Sequence, residues 1–223
     1  MERRHFIQRH IIGVLMDTKY ARFRDMRPEG VDSNAYSYHL TAVQKEKLVQ
    51  KTSDGYTLTI RGLSYVDVLS SENQQPRPQP KIMTLIVIEN EYGHFAACQK
   101  ERQPFIGQLT FACGKLHMDD SSIKQSALRE VREKTGALVS DLRHAGDCYI
   151  ALTHDRHVVM NALMHVFYIK IPMSSLHLLP GVQWYPYDQI MDGAAPATRR
   201  VTELLRESIG AHRFFDEYSE SLD

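Results

Sequence analysis

The sequence predicts an α/β protein with two domains: a small N-terminal domain of helices and one hairpin, and a larger domain with a mixed sheet between helices. Two observations support this prediction. The polar segment Ser71–Lys81 contains three alternating prolines, which favour an extended spacer and exclude a helix. Beyond it, predicted strands stand on both sides of one long helix and another helix follows, as is typical of an α/β/α sandwich. We therefore expect domains at 1–70 and 82–210, joined by this linker and followed by a C-terminal tail at 211–223.

The first 70 residues predict helices around one hairpin. Apolar residues from Phe6 to Leu15 recur at helical spacing, so an amphipathic helix is expected there. After a short helix at 21–26, Asp32 or Ser33 is a good N-cap for a helix that continues to Lys45. The Asp-Gly pair in Ser53–Gly55 is a hairpin turn signal between two short strands, and Thr59 can cap a last helix.

This order of elements resembles the winged helix-turn-helix of bacterial transcription regulators. The likeness is carried by the stretch SNAYSYHLTAVQKEKLVQKTSDGYTLTIRGLSYV. It implies that Asp32–Lys45 is the recognition helix, that the hairpin is the wing, and that a homodimer binds duplex DNA. The residues implied to contact DNA are Ser33, Asn34, Ser37, Tyr38 and His39 on the helix and Lys51 on the wing. Winged helices also serve as protein–protein modules, so that alternative stays open.

The second domain predicts strands before and after one long helix. The continuous apolar run Lys81–Glu89 is typical of a strand that is buried on both faces. The long helix is expected at Ser122–Thr135, with Asp120 or Ser121 as its N-cap and Gly136 at its end. The remaining elements are strands at Phe95–Cys98, Gln108–Phe111, Ala145–Ala151 and His157–Ile171, and a helix at Pro196–Ser208 that has proline in its first turn.

The segment from Gly114 to Ala137 reads GKLHMDDSSIKQSALREVREKTGA and resembles the Nudix box. The consensus of that box is Gly, five residues, Glu, seven residues and then Arg-Glu-U-x-Glu-Glu-x-Gly-U, where U is aliphatic. The matching positions are Gly114, Arg129, Glu130, Val131, Glu133, Gly136 and Ala137. The likeness extends over about Lys81–Ser208. It implies a ligand that is a nucleoside diphosphate linked to another moiety, and hydrolysis that depends on Mg²⁺ or Mn²⁺.

Elementary chemistry explains why such a box needs these residue types. Divalent cations neutralise a diphosphate and activate water, and Mg²⁺ prefers hard oxygen ligands. Carboxylates three residues apart share one helix face. The resemblance implies that Glu130 and Glu133 are metal ligands and that Arg129 holds a neighbouring carboxylate in place. It also implies a phosphate loop at Gly114 and Lys115, where glycine lets the backbone approach closely.

The segment departs from the consensus in three places. The interval from Gly114 to Arg129 is one residue longer, and the first glutamate is absent. Asp120, six residues after Gly114, could supply a metal ligand in its place. Lys134 occupies the third glutamate position, and its ammonium opposes a dication. An ordinary surface pair between Glu130 and Lys134 is the alternative interpretation of this helix.

Two functions follow from the resemblances. The first is a Mg²⁺-dependent, weakly active hydrolase of a nucleoside diphosphate linked to another moiety. The second is a DNA-binding transcription regulator whose Nudix domain senses a nucleotide ligand, for which regulators of nicotinamide metabolism are a precedent, although there the Nudix domain comes first. Lys134 and the fused N-terminal domain favour the regulator, while Arg129, Glu130 and Glu133 favour the enzyme.

Residues outside the box allow two interpretations each. Lys100 and Arg102 could meet phosphates or form a solvated turn. Four aromatic side chains could stack a base or pack in the core; they are Tyr149, Phe167, Trp184 and Tyr185. The loop from His154 to His157 could bind a metal or phosphate, or simply connect two strands.

Composition restricts the class of protein. Apolar residues make up 43% and charged residues 24% of the 223 residues, which is ordinary for a globular protein. Net charge is zero, but residues 1–70 carry 11 Lys and Arg against 8 Asp and Glu; this mild excess is compatible with nucleic acid and equally with chance. Cys98, Cys113 and Cys148 form no CxxC pair, which argues against a disulfide framework or a structural zinc site. With no signal peptide and no apolar run long enough for a membrane span, we expect a cytoplasmic protein.

Overall fold

The computed structural model describes residues 4–70, 77–208 and 213–222. The chain folds into two compact units, Met1–Gln79 and Pro80–Asp223. Most of the expected linker, up to position 76, lies outside the described residues. None of the described helices combines the length and apolarity that a membrane crossing requires.

The N-terminal unit consists of helices and a two-stranded antiparallel hairpin. Its elements are α1 (Phe6–Asp17), a 3₁₀ turn (Phe23–Met26), α2 (Ser33–Lys45), β1 (Val49–Lys51), β2 (Tyr56–Leu58) and α3 (Ile60–Asp67). The capping signals explain where the helices begin. The Asp32 carboxylate accepts hydrogen bonds from the backbone N–H groups of Asn34 and Ala35 at 2.8 and 3.1 Å. The Thr59 hydroxyl accepts one from Gly62 N–H at 3.0 Å, which satisfies a donor that the first helical turn leaves without a partner.

A single apolar core holds this unit together. It contains Ile7, Ile11, Ile12 and Leu15 of α1, Tyr36, Leu40 and Val43 of α2, and Leu48 and Val49 beside the hairpin. A contact that the sequence did not predict joins the start of the unit to the hairpin. Ala21 and Tyr56 exchange backbone hydrogen bonds of 3.0 and 2.8 Å, so the chain before the 3₁₀ turn lies along the hairpin as a third short extended segment.

The second unit is the predicted α/β/α sandwich. Its strands are β3 (Lys81–Glu89), β4 (Phe95–Gln99), β5 (Leu109–Thr110), β6 (Ala112–Lys115), β7 (Arg143–His154), β8 (His157–Lys170), β9 (Val182–Tyr185) and β10 (Phe214–Ser221). Its helices are α4 (Ile123–Thr135), α5 (Tyr187–Gly193) and α6 (Pro196–Glu207). These strands form one mixed sheet in the order β10-β7-β8-β3-β4-β5, with β6 paired to β3 and β9 paired to β4. The sheet therefore branches at β3, whose first half pairs with β6 and whose end meets β4.

Helices cover both faces of this sheet. On one face, Ala127 and Val131 of α4 pack on Ile86, Ile88 and Phe167. The other face is covered by α5 and α6, and the residues that they bury there include Ile190, Ala197, Val201 and Leu204. The central part of β3, from Thr84 to Ile88, is thereby buried on both faces, as its sequence predicted, whereas Lys81 and Ile82 at its start are exposed.

The expected C-terminal tail at 211–223 is wrong for most of its length. Phe214–Ser221 is β10, which pairs in parallel with β7 over eight residues, from Phe214 opposite Gly146 to Ser221 opposite Thr153. The sequence signal is weak because the strand lies at the sheet edge and alternates only half-buried with exposed positions. A tertiary contact holds it: Arg200 of α6 donates two hydrogen bonds to Asp216, at 2.7 and 2.9 Å.

Two local predictions also need correction. Ser122, rather than Asp120 or Ser121, caps α4, because its hydroxyl accepts the hydrogen bond of Gln125 N–H at 3.2 Å. The single strand expected at Gln108–Phe111 is two short strands, β5 and β6, separated at Phe111. The chain changes partner there, from β4 to β3. Gly136 ends α4 in the left-handed conformation at φ 76°, as predicted.

Candidate functional site

Glu130 of α4 lies directly against the backbone of β6 at Gly114. A Cβ added to Gly114 would stand 1.9 Å from the carboxylate carbon of Glu130 and 2.0 and 2.2 Å from its two oxygens. No side chain larger than hydrogen fits between them, so glycine is needed here for space. The contact leaves Glu130 only 4% exposed. A buried carboxylate is costly unless a partner compensates its charge.

Arg129 is that partner, and it also gathers two further carboxylates. Its Nη1 donates to Glu130 Oε1 at 2.6 Å and stands 3.5 Å from Glu133 Oε2. Its Nε and Nη2 donate to the two oxygens of Asp120 at 3.1 and 2.9 Å. Nη2 also donates to the Ser126 hydroxyl at 3.2 Å. The three candidate metal-binding carboxylates therefore surround one guanidinium, and the expected pairing of Arg129 with a neighbouring carboxylate is present.

Both oxygens of Asp120 accept hydrogen bonds from within the protein. Besides the bidentate pair with Arg129, its Oδ2 accepts a hydrogen bond from His117 N–H at 2.8 Å. The hydrogen bonds from Arg129, and then that from His117, hold the pKa of Asp120 well below its usual range. Asp120 thus orients Arg129, and the loop that is one residue longer than the consensus closes onto the helix through this pair. A role for Asp120 as a metal ligand stays a prediction.

The main evidence that Mg²⁺ fits this part of α4 is one carboxylate oxygen of Glu130. Glu130 Oε2 is buried and has no hydrogen-bond partner among the described residues, and the missing side chain of Gly114 is what makes room for this carboxylate. Glu133 is on the same helix, with its side chain 47% exposed. Mg²⁺ is commonly held by one or two carboxylates together with substrate phosphates and waters. Glu130 and Glu133 fit that role, whereas a cage of three protein carboxylates is not formed.

A cleft of about 800 Å³ opens where the sheet branches, between the end of α4 and strands β4, β6 and β9. Lys134, one helical turn after Glu130, lines it. Lys100 and Arg102, from the loop after β4, line it as well, and Glu101 is the one acidic residue among its described lining. This cleft therefore has a net excess of positive charge. Such a surface favours an anion, and phosphate above all.

The position of Lys134 decides between the two interpretations of the helix. Lys134 lies in the cleft with the other cations, and no salt bridge with Glu130 is present among the described residues, where Arg129 is the cation paired with that carboxylate. The ordinary surface pair between Glu130 and Lys134 is thus not formed. Lys115, expected in the phosphate loop, is exposed, and its carbonyl accepts a long hydrogen bond of 3.5 Å from Arg129.

The cleft is also lined by residues that the sequence analysis did not single out. Gln99, Thr110, Pro180, Gly181 and Gln183 line it. Of the four aromatic residues considered for base stacking, Tyr185 lines the cleft, whereas Phe167 is buried in the core and Trp184 packs against that core. Cys98 and Cys113 also face the cleft, and burial raises the pKa of both thiols. Neither cysteine is therefore poised as a thiolate nucleophile.

The predicted DNA-contacting residues lie mostly on the surface of the N-terminal unit. Ser33, Asn34 and Lys51 are exposed and Ser37 is half-buried, while Tyr38 is 72% exposed. These positions leave the surface of α2 and the wing open. Their contact with DNA stays a prediction.

His39 is placed differently from the other predicted DNA contacts. Its ring stacks on that of His5 at a centroid distance of 4.0 Å. Its Nδ1 is buried without a partner among the described residues, and desolvation lowers its pKa. His39 thus packs against His5 within the unit, and its contact with DNA stays a prediction.

Comparison with known families identifies the second unit. The family model of the NUDIX domain matches residues 78–205. That match contains the Gly114 loop, all of α4 and all the residues that line the cleft. A search of curated protein sequences finds no match to the chain.

Solved structures agree with this fold. The Nudix domain of Shewanella oneidensis NrtR, in a complex with ADP-ribose, superposes with a TM-score of 0.50 at 16% identity, over 62% of this chain and 95% of that one. A MutT protein from Bacillus halodurans superposes with a TM-score of 0.50 at 16% identity, over 64% of this chain and 92% of that one. At such identities the likeness concerns the fold alone.

Proposed function

This chain belongs to the Nudix family, and on that premise we propose that its second domain binds a nucleoside diphosphate linked to another moiety and hydrolyses it slowly with Mg²⁺ or Mn²⁺. The observation that carries the proposal is the adjacency of two features. A cleft with three cations, Lys100, Arg102 and Lys134, reaches α4 one helical turn after Glu130, which has a buried oxygen without a hydrogen-bond partner among the described residues.

The cations account for binding of the diphosphate. Each phosphate carries negative charge and several acceptor oxygens, and lysine and arginine donate charge-assisted hydrogen bonds to them. Tyr185 offers a ring on the cleft wall against which a base or sugar can pack. The exposed side chains of Gln99 and Gln183 on the cleft wall add hydrogen-bonding groups for the second moiety.

The carboxylates account for the metal. A bound Mg²⁺ would supply positive charge that neutralises the phosphates and would lower the pKa of a water molecule. Glu130 and Glu133 would hold it, and Arg129 keeps the Glu130 carboxylate in its place against Gly114. Lys134 reduces the affinity for the metal, because its ammonium stands where related domains have a third carboxylate. We therefore expect the domain to bind the nucleotide ligand well but to hydrolyse it slowly.

The test uses the full chain with ADP-ribose as the probe, in calorimetry and in a phosphate-release assay with Mg²⁺ or Mn²⁺. We expect saturable binding that Lys134→Met weakens about tenfold, as for the loss of one charge-assisted hydrogen bond. Lys124→Met is the matched control, because Lys124 is on the same helix and pairs with Asp141, away from the cleft. Equal effects of the two substitutions, or no binding of ADP-ribose, nucleotide sugars and dinucleotides, would refute the proposal.

A second function rests on the N-terminal unit. An exposed helix surface next to a two-stranded hairpin is the arrangement with which winged helices approach DNA, and Ser33, Asn34 and Tyr38 are exposed on that helix. In this second proposal the chain is a dimeric regulator of transcription, and the cleft at Lys134 senses a nucleotide. A domain that binds a nucleotide but hydrolyses it only slowly is suited to sensing it.

A further inference from the structure

A second group of metal-ligating side chains lies on two neighbouring strands, outside the cleft. Asp147 Oδ1 is 3.0 Å from His144 Nε2 and 2.6 Å from His165 Nδ1. One ligand atom from each residue lies within 4.8 Å of the other two. His144 and Asp147 belong to β7, and His165 is the partner of Asp147 on β8. It is the one such group of three found among the described residues.

A β-bulge brings these side chains together. Residues three apart on a regular strand point to opposite faces of the sheet, so His144 and Asp147 would ordinarily face apart. The register between β7 and β8 shifts between His144 and Gly146, and the extra residue turns both side chains to one face. Bulges of this kind re-aim side chains and recur next to functional sites.

The strand register also shows where this group of three side chains lies relative to α4. His165 lies opposite Thr84 of β3, and Thr84 lies opposite Gly114 of β6. Cross-strand partners point to the same face, so His165 and Asp147 are on the face that α4 covers. Two strand spacings separate His165 from Gly114, which is about 10 Å. The group is therefore distinct from Glu130 and Glu133, the candidate ligands of Mg²⁺.

The accessibility of the three side chains suits an ion that also binds water. Their exposed fractions are 23% for His144, 33% for Asp147 and 18% for His165, so an ion can enter from solvent. Both strands are long and paired with each other along their length, which makes the group rigid. The ring of His144 also rests near Phe167, at a centroid distance of 5.3 Å, which restricts its rotation.

We propose that His144, Asp147 and His165 form a binding site for a divalent transition metal of the Zn²⁺ class. Two imidazoles and one carboxylate are a ligand set that suits Zn²⁺, Fe²⁺ or Co²⁺ and not Mg²⁺, which takes oxygen ligands. Metal–ligand distances of about 2 Å imply separations of about 3–4 Å between ligands, so only a small opening of the hydrogen-bonded group is needed. Three protein ligands leave a fourth position for water or for a ligand atom. This site goes beyond the proposed function and does not depend on it.

The experiment uses the full chain, freed of metal by a chelator and titrated with Co²⁺ and then Zn²⁺. With Mg²⁺ in excess to occupy the carboxylate site of α4, we expect one Co²⁺ per chain, visible as a d–d absorption band, and its displacement by Zn²⁺ but not by the Mg²⁺. Zn²⁺ should raise the melting temperature, as a ligand of the folded state does. Asp147→Asn and His165→Asn should each weaken binding by about 100-fold or more, since even residues that only support a ligand contribute 10- to 100-fold.

His177→Asn is the control, because His177 is exposed and lies outside the group; its binding should match that of the unaltered chain. Circular dichroism checks the fold of each variant, and His144→Asn replaces any variant that does not fold. The proposal is overturned if the chain binds no Co²⁺ or Zn²⁺, if Mg²⁺ displaces them, or if folded variants of the group bind as the control does.

Discussion

At the scale of single residues, the site depends on Gly114 lacking a side chain. In Gly114→Ala, the new methyl group would overlap the Glu130 carboxylate, with atoms about 2 Å apart. We expect the free energy of unfolding to fall by about 1–3 kcal/mol, as in overpacked cores, and metal-dependent hydrolysis to be lost. Denaturant unfolding of the full chain measures the first effect.

A double variant makes this prediction specific. Glu130→Ala removes the group that the methyl would strike, so its combination with Gly114→Ala should cost less than the two single costs added together. Gly193→Ala is the control, since its nearest neighbour would be a leucine methyl at 3.5 Å. Strictly additive costs would mean that Gly114 and Glu130 do not meet.

Lys134 is the residue that separates binding from catalysis. Lys134→Glu replaces a cation of the cleft by the carboxylate of the family consensus, so we expect hydrolysis of ADP-ribose with Mg²⁺ to increase by about tenfold or more while metal-free binding weakens. Turnover and binding are measured separately for this reason. Lys124→Glu introduces the same charge change on the same helix. If Lys134→Glu leaves the metal dependence unchanged, this side chain does not take part in the metal site.

At the scale of elements, the edge strand β10 is attached by a titratable pair. Arg200 hydrogen bonds lower the pKa of Asp216, so near pH 4 the unfolded chain binds more protons at this residue than the folded chain does. The pair therefore stabilises the fold at neutral pH, and this contribution is lost as the pH falls through the lowered pKa. Asp216→Asn should cost about 1–2 kcal/mol at pH 7.

Melting temperatures at several pH values test this linkage. The difference between the unaltered chain and Asp216→Asn should be largest at neutral pH and should shrink below about pH 4, the ordinary range of an aspartate. The exposed Asp119 provides the control, Asp119→Asn. A difference that stays constant with pH would show that Asp216 acts through packing and not through its charge.

At the scale of the whole molecule, the regulator hypothesis makes a prediction about salt. Binding of duplex DNA through phosphates releases counterions, so the affinity of the full chain should fall by about 10²- to 10³-fold between about 50 and about 200 mM salt. Gel shifts with the DNA upstream of its own coding sequence, with and without ADP-ribose, measure it. Lys51→Ala in the wing should reduce the salt slope by about 1, whereas Lys124→Ala in the other domain should not change it.

The outcome distinguishes the two proposed functions. Salt-sensitive binding that ADP-ribose shifts supports a regulator, since a ligand alters DNA affinity only if it prefers one state of the protein. Phosphate release without DNA binding supports the hydrolase and assigns the N-terminal unit to protein–protein contacts.

Much of the fold could be predicted because its signals are local. Asp32 and Thr59 cap helices through their own side chains, and the apolar run of β3 predicts that the centre of this strand is buried on both faces. The tight turn between β7 and β8 places Asp155 and Arg156 at φ 46° and 63°, as in the two-residue turns that close hairpins. The cap of α4 was misjudged by one or two residues because Asp120, Ser121 and Ser122 are all good caps and tertiary contacts choose among them.

The sequence by itself determined the family and the α/β fold, because the Nudix box and the strand patterns are properties of neighbouring residues. Only the tertiary structure decided the chemistry of the site. It paired Asp120 with Arg129, placed Lys134 in a cleft with cations that are about 30 residues away along the chain, and brought His144, Asp147 and His165 together through a bulge. Each of these outcomes depends on which segments the sheet brings together. The register between two strands cannot be predicted from the residue pattern of either strand alone.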